Sequence, residues 1–324
     1  MISRVADHLF WFGRYLERAE STARVCLVTR NLALDGDLEP RQAWHPAVVV
    51  SGEEAAFRAA RGDAALADGE EVQRWLTWEA SNLSSLHHSV GALRENARSI
   101  REVVSLEGWE AVNELHLWME GDARLAWRDD RHGFYRHVRQ ATQMCLGVVH
   151  GTMLHDNAFD FLLLGVMLER TGQTARILDV PHHALASAPA HQVVELALWL
   201  ALLRACSGFE PFMKRFQGRA SAAAVARFLV LDGRFPRSVS HCLHDASKRL
   251  ARVRAPDADL RGRSLSRLRA LEAWTVDEAA PHLEDGRLHQ LLTRVVDEAH
   301  GICDEIGREL FGYPAPPASG AADQ

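Results

Sequence analysis

Residues 13–24 read GRYLERAESTAR and residues 165–176 read GVMLERTGQTAR. Gly13, Leu16-Glu17-Arg18 and Thr22-Ala23-Arg24 recur as Gly165, Leu168-Glu169-Arg170 and Thr174-Ala175-Arg176, at an offset of 152 in a chain of 324 residues. A second match keeps step. Val72-Gln73-Arg74-Trp75-Leu76 leads to Ser85-Leu86, and Val225-Ala226-Arg227-Phe228-Leu229 leads to Ser238-Val239 at an offset of 153. Such a spacing is far longer than the ~20–50 residues of solenoid repeats. It predicts two pseudo-symmetric tandem halves in one body, 1–150 and 151–312. Residues 313–324, rich in Pro, Ala, Ser and Gly, then form a disordered tail.

Around both copies the apolar residues keep helical time. Val5, Leu9, Phe12, Leu16, Ala19, Ala23 and Cys26 alternate steps of four and three, which predicts an amphipathic helix of about 30 residues running toward Asp35-Gly36. Phe161, Leu164, Leu168, Thr171, Ala175 and Leu178 repeat the stripe, with Pro181 as its stop. Further helices are expected over 44–60, 70–78, 84–104, 108–121, 134–152, 191–216, 221–230, 236–254, 264–284 and 288–311. Alternating β-branched runs and Asn-Gly or Asp-Gly hairpins are almost absent. The predicted fold class is all-α, a helical bundle.

Composition narrows the function classes. A 47% apolar fraction suffices for a core, and 25% charged residues are ordinary for a soluble chain. The net charge of −6 gives no basic face for nucleic acid. The longest apolar run, Leu196 to Leu203, is far short of the roughly 20 residues of a membrane span. Arg4, Asp7 and His8 interrupt the N-terminal stretch before a secretory signal could form. Five scattered cysteines without a CxxC suit a reduced, cytoplasmic protein. Among the 37 basic residues only Lys214 and Lys248 are lysine, a bias that GC-rich coding explains at most positions.

Beside each apolar stripe runs a second line of residues at helical spacing. It comprises Phe10, Gly13, Glu17, Glu20 and Arg24 in the first half, and Leu162, Gly165, Glu169, Gly172 and Arg176 in the second. A glycine inside a helix costs about 1 kcal/mol relative to alanine. Its compensation here is close approach of another backbone, with the two long helices crossing. Cross-pairing of Glu17 with Arg176 and of Glu169 with Arg24 is expected if the two helices run antiparallel. Two readings stay open: a buried salt-bridge network that fixes helix register, or a polar cavity that holds a charged ligand. Arg94, Arg98 and Arg101, flanking Asn96, share a face and could grip a carboxylate or phosphate. Glu107 and Glu110 share the face of a further helix start. His87-His88, His182-His183 and the His241, His244 pair lack the spacing of HExxH or of di-iron bundles, so no metal is expected. No phosphate-binding glycine loop and no nucleophile elbow occur, so no cofactor is assigned.

The opening Met1-Ile2-Ser3-Arg4-Val5-Ala6, with Leu9-Phe10-Trp11, Gly13-Arg14-Tyr15-Leu16-Glu17-Arg18-Ala19-Glu20 and Thr22-Ala23-Arg24, closely resembles the start of bacterial alpha-E domain proteins. Arg94-Glu95-Asn96-Ala97-Arg98, Glu107 with Trp109-Glu110, Thr152-Met153-Leu154, Thr174 to Val180, Phe228-Leu229 to Asp232 and Pro236-Arg237-Ser238-Val239 extend the likeness over residues 1–312. The chain departs from it at Thr77-Trp78-Glu79 and Asn82-Leu83-Ser84-Ser85, where the family tends to an Asp and an Asn-Pro-Ser-Ser turn. It departs again at Gly172, where Glu20 has no counterpart. The resemblance implies an all-helical protein that works beside a circularly permuted ATP-grasp protein, with a transglutaminase-like protein nearby, in ATP-dependent amide or peptide formation. On that reading Glu17, Arg18, Glu20, Arg24, Glu169, Arg170 and Arg176 line a shared site, and Arg94 and Arg98 hold an anionic substrate or carrier. The alternatives are an enzyme in its own right, with Glu17 or Glu169 as general base, and a purely structural scaffold. The sequence leaves the oligomeric state open.

Overall fold

The computed structural model describes residues 2–35, 38–185, 192–217, 219–253, 262–284 and 287–314. Every regular element among them is helical. The first half contains α1 (Ser3–Asp35), α2 (Pro40–Ser51), α3 (Glu54–Arg61), α4 (Gly69–Trp78), α5 (Leu86–Ser99), α6 (Leu106–Glu120), α7 (Ala123–Asp129) and α8 (Arg131–Thr152). The second contains α9 (Asn157–Leu178), α10 (Val180–Leu185), α11 (Gln192–Ala205), α12 (Phe209–Phe216), α13 (Ala222–Leu231), α14 (Val239–Arg252), α15 (Gly262–Asp277), α16 (Ala279–Glu284) and α17 (Leu288–Ile306).

Local chemistry sets the helix ends. The Ser85 hydroxyl accepts from the His88 amide at the start of α5, and the Ser238 hydroxyl accepts from the His241 amide at the start of α14. Asp68 and Ser221 cap α4 and α13 in the same way. Gly52, at φ +79°, ends α2, so the predicted helix over 44–60 is two helices. The predicted helix over 191–216 divides as well, because Ser207 turns the chain at φ +53°. Pro181 falls in the first turn of α10, just past the end of α9, where its missing N–H costs nothing. Gly36, toward which the first helix is expected to run, lies outside the described residues, as does the tail from 315. Tyr313, assigned to that tail by the sequence, is instead held: Trp11 Nε1 donates to its hydroxyl at 2.8 Å, and the hydroxyl donates to Asp7.

The core is organised around two helices. α1 packs most extensively on α9, then on α5 and α8, while α9 packs on α14 and α17. α6 covers α8 and α5, and α15 covers α14 and α17. Leu9, Phe12, Leu16, Ala19, Ala23 and Cys26 of the expected stripe are all buried. α9 is buried on every side from Ala158 to Thr171, as a helix enclosed by others must be. The crossing of α1 and α9 depends on glycine. A Cβ on Gly13 would land on the carbonyl oxygen of Leu162, and one on Gly165 would land on that of Phe10. The relation is reciprocal, because each glycine faces the residue three positions before the other. Among the described residues no single helix is long and apolar enough to cross a membrane.

Candidate functional site

Just past the crossing, Glu17 on α1 and Glu169 on α9 each reach the opposite helix. Glu17 Oε2 accepts from Arg170 Nη2 at 2.6 Å, and Oε1 accepts from Arg237 Nη1 at 2.7 Å. Glu169 Oε1 accepts from Arg18 Nε at 2.8 Å, while Oε2 accepts from Arg14 Nε at 2.9 Å and Arg18 Nη2 at 3.0 Å. The doubled Glu-Arg dipeptides therefore exchange partners: each glutamate binds the arginine that follows the other glutamate. The expected pairs, Glu17 with Arg176 and Glu169 with Arg24, do not form. Arg24 and Arg176 lie 11 residues beyond the crossing glycines, about 16 Å along each axis, and Arg24 bonds instead to Glu20 on its own helix and to Ser207.

Two charge clusters result. In the first, Glu20 Oε1 accepts from Arg24 Nη2 and Arg237 Nη2, both at 2.6 Å, and from Gln143 Nε2 at 3.2 Å. Arg24 Nη1 also donates to the Ser207 hydroxyl at 2.6 Å. In the second, Gln173 Nε2 adds a bond of 3.1 Å to Glu169 Oε1. Arg176 stands beside Gly52, with no hydrogen bond and no carboxylate at ion-pair distance among the described residues.

Electrostatics fix the protonation states. Burial pushes the Glu17 carboxyl up, but Arg170 and then Arg237 outweigh it and hold the group at about 2. Glu169 is also held far below the usual carboxylate range, with Arg18 and Arg14 overcoming burial. Burial lowers Arg24 and Arg176; at Arg24 the neighbouring Arg237 adds to this and Glu20 partly offsets it by contact, and at Arg176 Glu169 and Glu53 partly offset it from a distance. Burial likewise pushes the thiols of Cys26, Cys145 and Cys242 up to about 12, so none is a ready nucleophile.

A cavity of about 340 Å³ opens against the second cluster. Arg14, Arg18, Glu169, Gly172, Gln173 and Arg176 form one wall, and Glu53 and Ser84 form another. Phe10, Trp11, Phe311 and Tyr313 supply an apolar side, and α17 closes it with Val296, Ala299, His300, Cys303 and Asp304. The volume lies within the range of small-molecule sites.

The remaining candidates lie elsewhere. Arg94 donates to Asn113 and Glu95, Arg98 donates to Glu95, and Arg101 lies over the Trp109 ring. Asn96 meets His8 on α1 at 2.9 Å, and Glu107 and Glu110 are exposed on α6. None of these lines the cavity. The sequence reading passed over Arg14, Gln173, Ser84 and Arg237. Arg237 was detectable as the residue before the Ser238 cap, 153 positions after Ser84. Among the described residues Asp179, His183 and His289 place donor atoms within 4.8 Å of one another, the one group able to hold a metal. The Asp179 carboxylate already bonds to both rings, and those bonds outweigh burial to lower its pKa.

No solved structure matches the chain. Uncharacterized proteins of Mycobacterium bovis and of two Mycobacterium tuberculosis strains do. The first is 28% identical over 277 residues, and the two tuberculosis proteins are 28% and 27% identical. The match covers 81% of this chain and 30% of each relative, so the chain spans under a third of their length. Residues 1–311 match the Alpha-E family model, described as a predicted alpha-helical domain with a conserved ER motif, and with its two partner-exchanging Glu-Arg dipeptides the chain belongs to that family.

Proposed function

We propose that the chain is an accessory binding subunit of a circularly permuted ATP-grasp ligase, in a pathway that forms amide or peptide bonds. In this role the helix-crossing site holds a group for the ligase, and the ligase supplies nucleotide and catalysis. The supporting observation is the state of the two glutamates. Glu17 and Glu169 each meet two guanidiniums and are held ionised, Glu17 at about 2. A general base working near neutrality needs a pKa raised toward 7 and a free lone pair; both carboxylates have the opposite. The absence of a phosphate loop from the sequence suits a subunit whose partner brings ATP. The longer relatives also favour a unit that works beside other modules.

The test is co-expression with a circularly permuted ATP-grasp protein from the same source, affinity capture, and ATP hydrolysis with and without this chain. A stable complex and a rate that changes on its addition are expected. No complex together with an unchanged rate would overturn the reading.

A further inference from the structure

The two charge clusters stand on matching positions and differ at two of them. The offset of 152 carries Glu20 to Gly172, and the offset of 153 carries Ser84 to Arg237. In the first cluster the Glu20 carboxylate sits between Arg24 and Arg237, at 2.6 Å from each. In the second both of those side chains are missing. A Cβ built on Gly172 meets nothing within 4 Å, and the Ser84 hydroxyl is occupied by Glu53 at 3.2 Å. The cavity lies where the two lost side chains would be, and both positions line it. Arg176, the counterpart of Arg24, lines that space and has no ion pair among the described residues.

The pairing of the arginines differs between the clusters as well. In the first cluster Arg24, Arg170 and Arg237 surround two carboxylates, Glu17 and Glu20. In the second, among the described residues, Arg14 and Arg18 pair with Glu169, while Arg176 has no ion pair and only longer-range support from Glu169 and Glu53, and Asp304 adds a further carboxylate to the cavity wall. A guanidinium removed from water is stabilised by a planar anion that accepts its fork of N–H groups.

We propose that this cavity binds a small organic carboxylate, its carboxyl group beside Arg176 where Glu20 stands beside Arg24, and its apolar body against Phe10, Trp11 and Tyr313. A carboxylate is chosen over phosphate because the matching position is itself filled by one. The space exceeds a single glutamate side chain, so the ligand is of amino-acid to dipeptide size. The inference rests on the accessory reading for what becomes of the ligand. Its binding is measured on the full chain without a partner, so a failed capture and a failed titration remain separate results.

The probes are glutarate, 3-phenylpropionate, its neutral amide, and inorganic phosphate, each titrated calorimetrically. Saturable binding of 3-phenylpropionate is expected, with the amide and phosphate weaker by about tenfold or more. Gly172→Glu regenerates the Glu20–Arg24 spacing opposite Arg176. It is expected to raise the melting temperature and abolish binding, and Arg176→Met is expected to abolish binding too. No saturable binding of either carboxylate up to millimolar concentration would overturn the proposal. So would binding that survives in Gly172→Glu, or phosphate binding as tight as carboxylate. If Arg176→Met does not fold, Gly172→Glu decides alone. A Gly172→Glu chain that fails to melt cooperatively also counts against the proposal, since open space at residue 172 is what it requires.

Discussion

At Glu17 one carboxylate meets Arg170 and Arg237 in a position 1% exposed. Ions taken out of water are stabilised only while each retains its counterpart, and removing one member of a buried pair costs about 3–5 kcal/mol. Glu17→Gln is therefore expected to lose stability of that order, read as a lower urea midpoint. Arg237 keeps Glu20 in that variant while Arg170 is left without a carboxylate, so adding Arg170→Met should recover part of the loss. Acid tests the same residue. The folded group titrates at about 2 and the free group at 4.5, so between these values the unfolded chain binds a proton that the native one does not. The contribution of Glu17 is complete above about 4.5 and is lost as pH falls toward 2, with Glu169 acting in the same direction. The urea midpoint of the parent should drop steeply over that range, and that of Glu17→Gln less so. Equal slopes would refute the assignment. The repeated letters reveal that Glu17, Arg18, Glu169 and Arg170 matter. They hide Arg14, whose counterpart is Val166, and Arg237, 220 positions from the carboxylate it binds.

Helix by helix, the glycines at the crossing reverse an ordinary preference. Alanine in place of a helical glycine normally gains about 1 kcal/mol. At Gly13 and Gly165 the added methyl would strike the carbonyls of Leu162 and Phe10, which are backbone and cannot turn aside. Gly13→Ala and Gly165→Ala should each lose about 1–3 kcal/mol. Gly147→Ala on α8, where a Cβ meets nothing within 4 Å, should gain up to about 1 kcal/mol. Thermal melts of the three separate backbone contact from propensity, and stabilisation of all three would contradict the crossing. The crossing was legible because a glycine at matched positions of two apolar helices has few other uses. The division of 44–60 and 191–216 was not fully legible, since the apolar period runs on through each break. Gly52 carries a visible signal, but Ser207 adopts its left-handed turn without glycine. Those breaks matter to the site, because they bring Ser207 to Arg24 and Gly52 to Arg176.

Across the whole molecule, the all-helical class follows from an apolar period of 3.6 sustained through nearly every segment. The difference between the clusters does not follow from it. Unlike the recurring pattern, it rests on two positions where the halves differ, Glu20 against Gly172 and Ser84 against Arg237, and Gly172 and Ser84, far apart in the chain, line one cavity. The same cross-connections lead us to expect that the halves fold as one unit. Glu17 takes both its arginines from beyond residue 157, and Glu169 takes Arg14 and Arg18 from α1. A first half made alone would bury Glu17 without Arg170 or Arg237 and expose the apolar face that α9 covers. Cutting the chain between Leu154 and His155, in the exposed link from α8 to α9, isolates this effect without touching either cluster. Each fragment alone is expected to lack a cooperative melt, whereas the two expressed together should associate and unfold in a single transition. Combining them with Glu17→Gln in the first fragment should weaken that association, because the substitution removes the acceptor for two arginines supplied by the second. Two fragments that each melt cooperatively, and do so unchanged when mixed, would mean that the halves are autonomous and that the exchanged ion pairs are dispensable to the fold.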